Sequence, residues 1–163
     1  MSVQTTTATD IGMNDQQRQG SSDVLNQVLA DLTVLYIKTR NYHWNVTGIH
    51  FQTFHDMFEE QYDQLEEAID EVAERIRMLG HYPLSTMKEF VDRATLKEHP
   101  GTYPDAQTMI SNLLTDHEAC IRYLRESIAT CEQTYNDVGT TDFLTELLQQ
   151  HEKTAWMLRA HVS

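Results

Sequence analysis

With 163 residues, 40% of them hydrophobic and 9% aromatic, the chain is long enough for one domain with a real core and too apolar to be disordered. A formal net charge of −13 and a pI near 4.8 exclude the broad basic footprint of a general nucleic-acid binder and favour attraction of cations. No run approaches the ~20 apolar residues of a membrane span, and the start, MSVQTTTATDIG, lacks the basic and apolar regions of a secretory signal, so a cytoplasmic protein with no membrane attachment is expected.

Residues 1–21 read as a flexible Thr- and Gln-rich tail whose only basic side chain is Arg18. Ser21-Ser22-Asp23 has the form of a helix start, hydroxyl caps followed by an acid. Leu25, Val28, Leu29, Leu32, Leu35 and Tyr36 then follow at helical spacing. Two more turns carry that stripe to His43, near the end of the first long helix. Thr47-Gly48 ends it, with Gly48 suited to a left-handed cap. His50 reads as a surface residue.

A second long helix is expected from Phe51 to Leu79. Its apolar stripe is Phe54, Phe58, Tyr62, Leu65, Ile69, Val72 and Ile76, and beside it run His55, Glu59, Glu66, Asp70 and Glu74. Gly80 and Pro83 stop it. Residues 84–104 form a long crossover, with a short helix capped by Ser85 or Thr86. The third long helix starts at the Asp105 cap and runs to Tyr135, Asn136 to Gly139 break it, and the fourth starts at Thr140 or Thr141. Four long helices with one long middle connection make an all-α, ferritin-like four-helix bundle over residues 22–163, with a short extra helix in the crossover. Cys120 and Cys131 fall on one helix, about 16 Å apart and beyond disulfide reach, and are read as reduced packing thiols. His117, His151 and His161 have no acid at a ligand spacing and are read as core or surface residues. His81 and His99 are read as surface residues.

The second helix carries the chemistry. His55 with Glu59, and Asp70 with Glu74, are i,i+4 pairs, each on one helix face. Imidazole with carboxylate suits iron, zinc or manganese better than copper(I) or calcium. No Glu-x-x-His occurs in the chain, so the usual di-iron centre inside a bundle is not expected. His55 and Asp70 are separated along one helix by about 22 Å, whereas metal bonds to these ligands are about 2 Å long. One chain cannot close both around one ion. Either each chain holds two incomplete sites, or a second chain supplies the missing half.

The stretch from His43 to Glu59, H-W-x-V-x-G-x-x-F-x-x-F-H-x-x-x-E, resembles the Dps mini-ferritin family. So does I-D-x-V-A-E-R-x-x-x-L-G-x-x-P from Ile69 to Pro83. Phe54 stands where that family more often has Leu or Val. The resemblance extends over roughly residues 22–162. It implies a homo-dodecamer built from two-fold dimers, with two-iron ferroxidase sites at the dimer interface. The ligands it implies are His43, His55, Glu59, Asp70 and Glu74, with zinc admissible at one position. It implies oxidation of Fe(II), preferably by hydrogen peroxide over oxygen, storage of ferric mineral in the shell, and protection against oxidative stress. By their spacing Asp137, Asp142 and Glu146 resemble the family's three-fold iron-entry pore, but acids around a helix N-terminus are also favourable for the dipole. Trp44, beside the site, reads equally as a redox aromatic or as packing. Two other readings stay open at this level. One is a DNA-coating Dps protein with little ferroxidase activity, against which the nearly cation-free tail argues. The other is a plain bundle whose acids and histidines are surface.

Overall fold

The structure, a computed structural model, describes residues 8–162. Five helices follow one another: α1 Asp15–Asn45, α2 Phe51–Met78, α3 Met87–Arg93, α4 Ala106–Gln133 and α5 Val138–Val162. Contacts between named residues give the topology. Tyr36 meets Tyr62 and His43 meets His55, so α1 and α2 run antiparallel. Gln107 meets His161, and His117 meets His151, so α4 and α5 do the same. Lys38 bonds Asp116 while Tyr42 bonds Asn112, which sets α1 antiparallel to α4. α2 and α4 are therefore parallel, and a long crossover is what that arrangement needs.

The core is one cluster drawn from all four long helices, including Leu25, Leu32, Phe58, Val72, Leu113 and Leu158. Asp31, on α1, holds the crossover against the bundle. Its Oδ1 accepts from the backbone N–H groups of Thr95 (2.6 Å) and Leu96 (2.9 Å). α3 starts at Thr86 in a capping box with Glu89, and α4 starts at the Asp105 cap, whose side chain accepts from Thr108 N at 2.8 Å. Cys120 and Cys131 are free and buried in α4. Burial pushes the Cys131 thiol up to about 11 and that of Cys120 higher still, so both stay protonated.

Two helix starts differ from the sequence expectation. α1 begins at Asp15, not at Ser21, so residues 15–21 are helical. Asn14 and Gln17 form a reciprocal capping box at 2.9 Å each way, which satisfies two otherwise unpaired N–H groups. Ser21 and Ser22 are wholly buried inside the helix. Gly20, which looks like a break, is there for space: a Cβ on it would lie 2.2 Å from the Tyr135 ring. Residues 1–7 of the expected tail lie outside the described residues. α5 begins at Val138 rather than at Thr140, because Asp137 is its cap: Asp137 Oδ1 accepts from Thr140 N at 3.0 Å. At the α1–α2 turn Gly48 has φ +116, the left-handed conformation expected of it.

Candidate metal centre

The last turn of α1 and the first turns of α2 face each other across the short 46–50 connection. This places the rings of His43 and His55 face to face, with centroids 3.7 Å apart and planes 19° from parallel. Each ring binds the other's backbone. His43 Nδ1 donates to the His55 carbonyl and His55 Nδ1 to the His43 carbonyl, both at 2.8 Å. A carbonyl only accepts, so both Nδ1 atoms carry a proton, and in the neutral ring the lone pair lies on Nε2. A metal site needs neutral imidazoles held in one tautomer by an outer partner, and the two carbonyls do this.

Glu59, one turn after His55 on α2, completes the set. Ligand atoms of His43, His55 and Glu59 lie within 4.8 Å of one another. His43 is buried, His55 half-buried and Glu59 exposed, so Glu59 is free to swing onto an ion while the rings stay fixed. Neighbouring rings hold them: Phe51 stacks on His55 at 5.0 Å, and Tyr62 meets His43 edge-on at 5.2 Å. The sequence reading assigned Tyr62 to the core and no role to Phe51. The i,i+4 spacing of Phe51 and His55 was the available signal.

Asp70 and Glu74 stand elsewhere. Both are exposed, further along α2, which runs unbroken from Phe51 to Met78. The chain thus presents a nitrogen-rich cluster near one end of α2 and a carboxylate pair toward the other. Around the cluster, Trp44, Ile49 and Phe51 are exposed apolar residues, and the Arg40 guanidinium lies 5.3 Å from the Trp44 ring.

The acids of the last turn do not share one environment. Asp137 is 3% exposed. Besides capping α5 it pairs with Arg75 Nη2 at 3.2 Å, and hydrogen bonds from Thr140 and the nearby guanidinium hold its carboxyl below the usual range despite burial. The helix-terminus reading therefore describes Asp137, whereas Asp142 and Glu146 are exposed on α5.

His117 and His151 are where sequence reasoning gave least. They are buried between α4 and α5, with Nδ1 atoms 2.9 Å apart. The signal lay in their register: His117 continues the Leu113 and Leu124 side of α4, and His151 continues Leu144 and Leu158 on α5. His161 is exposed and meets Phe54 edge-on.

A sequence model of the ferritin-like domain family matches residues 22–163. The chain is 48% identical to an uncharacterized low temperature-induced protein of Nostoc sp. over 94% of its own length and 86% of that protein's. It is 37% identical to DNA protection during starvation protein 2 of Bacillus anthracis, covering 86% of this chain and 95% of that one. A solved structure of a Dps protein from Vibrio cholerae O1, described as a member of a broad superfamily of ferritin-like diiron-carboxylate proteins, superposes with a TM-score of 0.89. That pair shares 31% identity over 97% of this chain and 99% of the other.

Proposed function

Since the chain belongs to the Dps family of the ferritin-like superfamily, we propose that it oxidises ferrous iron, preferably with hydrogen peroxide, and stores the ferric product inside a hollow homo-dodecamer. The observation that carries this reading is the His43–His55–Glu59 cluster, whose reciprocal hydrogen bonds leave both Nε2 lone pairs available. Ferrous iron is the substrate. Imidazole nitrogen suits it, and the hard carboxylates of Glu59, Asp70 and Glu74 favour the ferric product. Two ferrous ions give up one electron each, and one peroxide takes both as its O–O bond breaks. Water supplies the remaining oxygen of the ferric oxyhydroxide and releases protons.

In this reading the site is shared. Asp70 and Glu74 of a two-fold mate meet the histidine half-site, and Trp44, Ile49 and Phe51 are covered by the same contact. One position of the site also accepts zinc, since the donor set does not discriminate against it. Trp44 either supplies an electron to a stray oxidant or packs in the interface. Asp142 and Glu146, with Asp137 behind them, line the path by which iron enters. The protein acts in the cytoplasm.

The test uses two variants, one lacking His43 and His55, the other lacking Asp70 and Glu74. Each alone is expected to oxidise ferrous iron at a small fraction of the wild-type rate, with helix content unchanged. Unfolded together and co-assembled, they are expected to recover up to about a quarter of wild-type activity, because each hybrid dimer holds one intact site. No recovery, with co-assembly verified by mass, refutes sharing. Wild-type rates in the separate variants refute the ferroxidase assignment.

A further inference from the structure

The bundle interior holds a second histidine pair that iron oxidation does not use. His117, on α4, and His151, on α5, are 2% and 3% exposed. Their Nδ1 atoms share a hydrogen bond of 2.9 Å. One proton serves that bond. Of two neutral rings, the one that donates keeps a lone pair on Nε2, and the one that accepts carries its own proton there. Either way His117 Nε2 has something to give or to take, and no protein group meets it. The same is true of Gln61 Oε1, buried on α2. Buried polar atoms ordinarily have a partner, from the protein or from water. Gln61 and both histidines line one cavity of about 20 Å³ between α2, α4 and α5, together with Thr154, Leu65 and Leu147. That volume admits one water-sized occupant. All of the lining side chains are uncharged, and burial disfavours a positive charge on either ring, so the occupant is neutral.

We propose that this cavity is a binding site for one water molecule, which joins Gln61 of α2 to His117 of α4 and, through the histidine bond, to His151 of α5. Water is the ligand whose chemistry suits both atoms. The Gln61 carbonyl oxygen only accepts, so water gives it one O–H. Toward His117 Nε2 water turns its other O–H or a lone pair, whichever the histidine bond leaves wanting. An apolar occupant would satisfy neither atom, and a buried water is ordinarily held by two to four such partners. Solvent reaches the site from a wider groove that shares Gln64, Ala68 and Gln150 with the cavity. The water belongs to the structure rather than to the surface. It ties the α1–α2 hairpin to the α4–α5 hairpin at a level where the side chains of Leu65 and Leu147 offer no hydrogen bond.

The test reads atomic positions in the assembled, iron-free protein, so its outcome is independent of the ferroxidase reading. Crystals of the wild type, diffracting well enough to show ordered solvent, are expected to hold one well-occupied water in every chain, within about 3.2 Å of both Gln61 Oε1 and His117 Nε2. In crystals of Gln61→Leu, and separately of Gln61→Met, that water is expected to disappear while the His117–His151 bond stays and the helices keep their places. A wild-type cavity without solvent density overturns the proposal, and this result needs no variant to fold. A Gln61 carbonyl turned directly onto His117 Nε2 overturns it too. So does a water that keeps its position and occupancy in both Gln61 variants, because Gln61 is then not its partner.

Discussion

Burial sets the charge of His117 and His151, and so gives the fold an acid-sensitive component. An imidazole in the unfolded chain titrates near 6.5. Desolvation lowers His151 to about 4 and carries His117 well below its ordinary value, with His151 adding to the effect on His117. As pH falls, the unfolded chain takes up these protons first. For His151 the stability is complete above about pH 6.5, shrinks as pH falls toward 4 and is gone below it, and His117 adds a loss in the same direction. For His151 alone it is on the order of 3 kcal/mol. Thermal melts of His151→Gln and the wild type, run from pH 7 to 4.5, are expected to show a flatter decline in Tm for the variant. Parallel profiles would contradict a neutral buried pair. Single residues also show where spacing stops being informative. The order Asp137, Asp142, Glu146 was readable, but not that Asp137 lies beneath Arg75 and caps α5, because Arg75 is far away in sequence and reaches it only through the packing of α2 against α5.

At the scale of elements, helix identity followed from hydrophobic period, and the starts of α3 and α4 followed from local caps. Asp105, and Thr86 as one of the two caps offered there, could be read because the residue each bonds is three positions on. α1 was misread although its Asn14–Gln17 box is just as local, because Gly20 and the two serines after it imitate a helix start. Gly20 has a tertiary cause, the Tyr135 ring, and Ser21 and Ser22 face the core rather than orphaned N–H groups. The cause can be measured. Gly20→Ala gains about 1 kcal/mol of helix propensity but forces a methyl into that ring, an overpacking that typically costs 1–3 kcal/mol. The variant is expected to be less stable than wild type in urea unfolding, by about 1 kcal/mol. In a Tyr135→Ala background the same substitution is expected to stabilise, since only the propensity gain remains. A destabilisation that persists without the ring would show that Gly20 is needed for some other reason. The grouping of His43, His55 and Glu59 was readable for a similar reason to the caps of α3 and α4. His43, His55 and Glu59 are separated by one short turn and one helical turn, whereas the His117–His151 pair spans 34 positions and carries no local mark.

For the whole molecule, charge decides which partners approach. The chain carries 12 Lys and Arg against 25 Asp and Glu. Several of those cations are already engaged among the described residues. Lys38 is buried against Asp116 and Arg75 reaches Asp137, while Arg125 and Arg159 pair with Glu152 and Glu118. Arg18, the one cation of the expected tail, pairs with Asp15 and donates to the Leu79 carbonyl at 3.2 Å. Binding DNA means neutralising several phosphates with free Lys or Arg. Duplex DNA is therefore expected to run unshifted with micromolar protein in a gel at modest salt and neutral pH. A retarded band would point to a basic patch that forms only when protomers assemble.

The reciprocal bonds between His43 and His55 also have a consequence in time. They span only 12 positions, and contacts that close short loops form early when a helical chain folds. The His43–His55 pair is thus in place once the first hairpin has formed. If the carboxylates come from another protomer, they arrive only through a bimolecular encounter, which is slower and depends on concentration. A newly made chain would then hold two aligned imidazoles without the acids that retain oxidised metal. Rust formation would wait for assembly, and a container would exist before there was anything to contain.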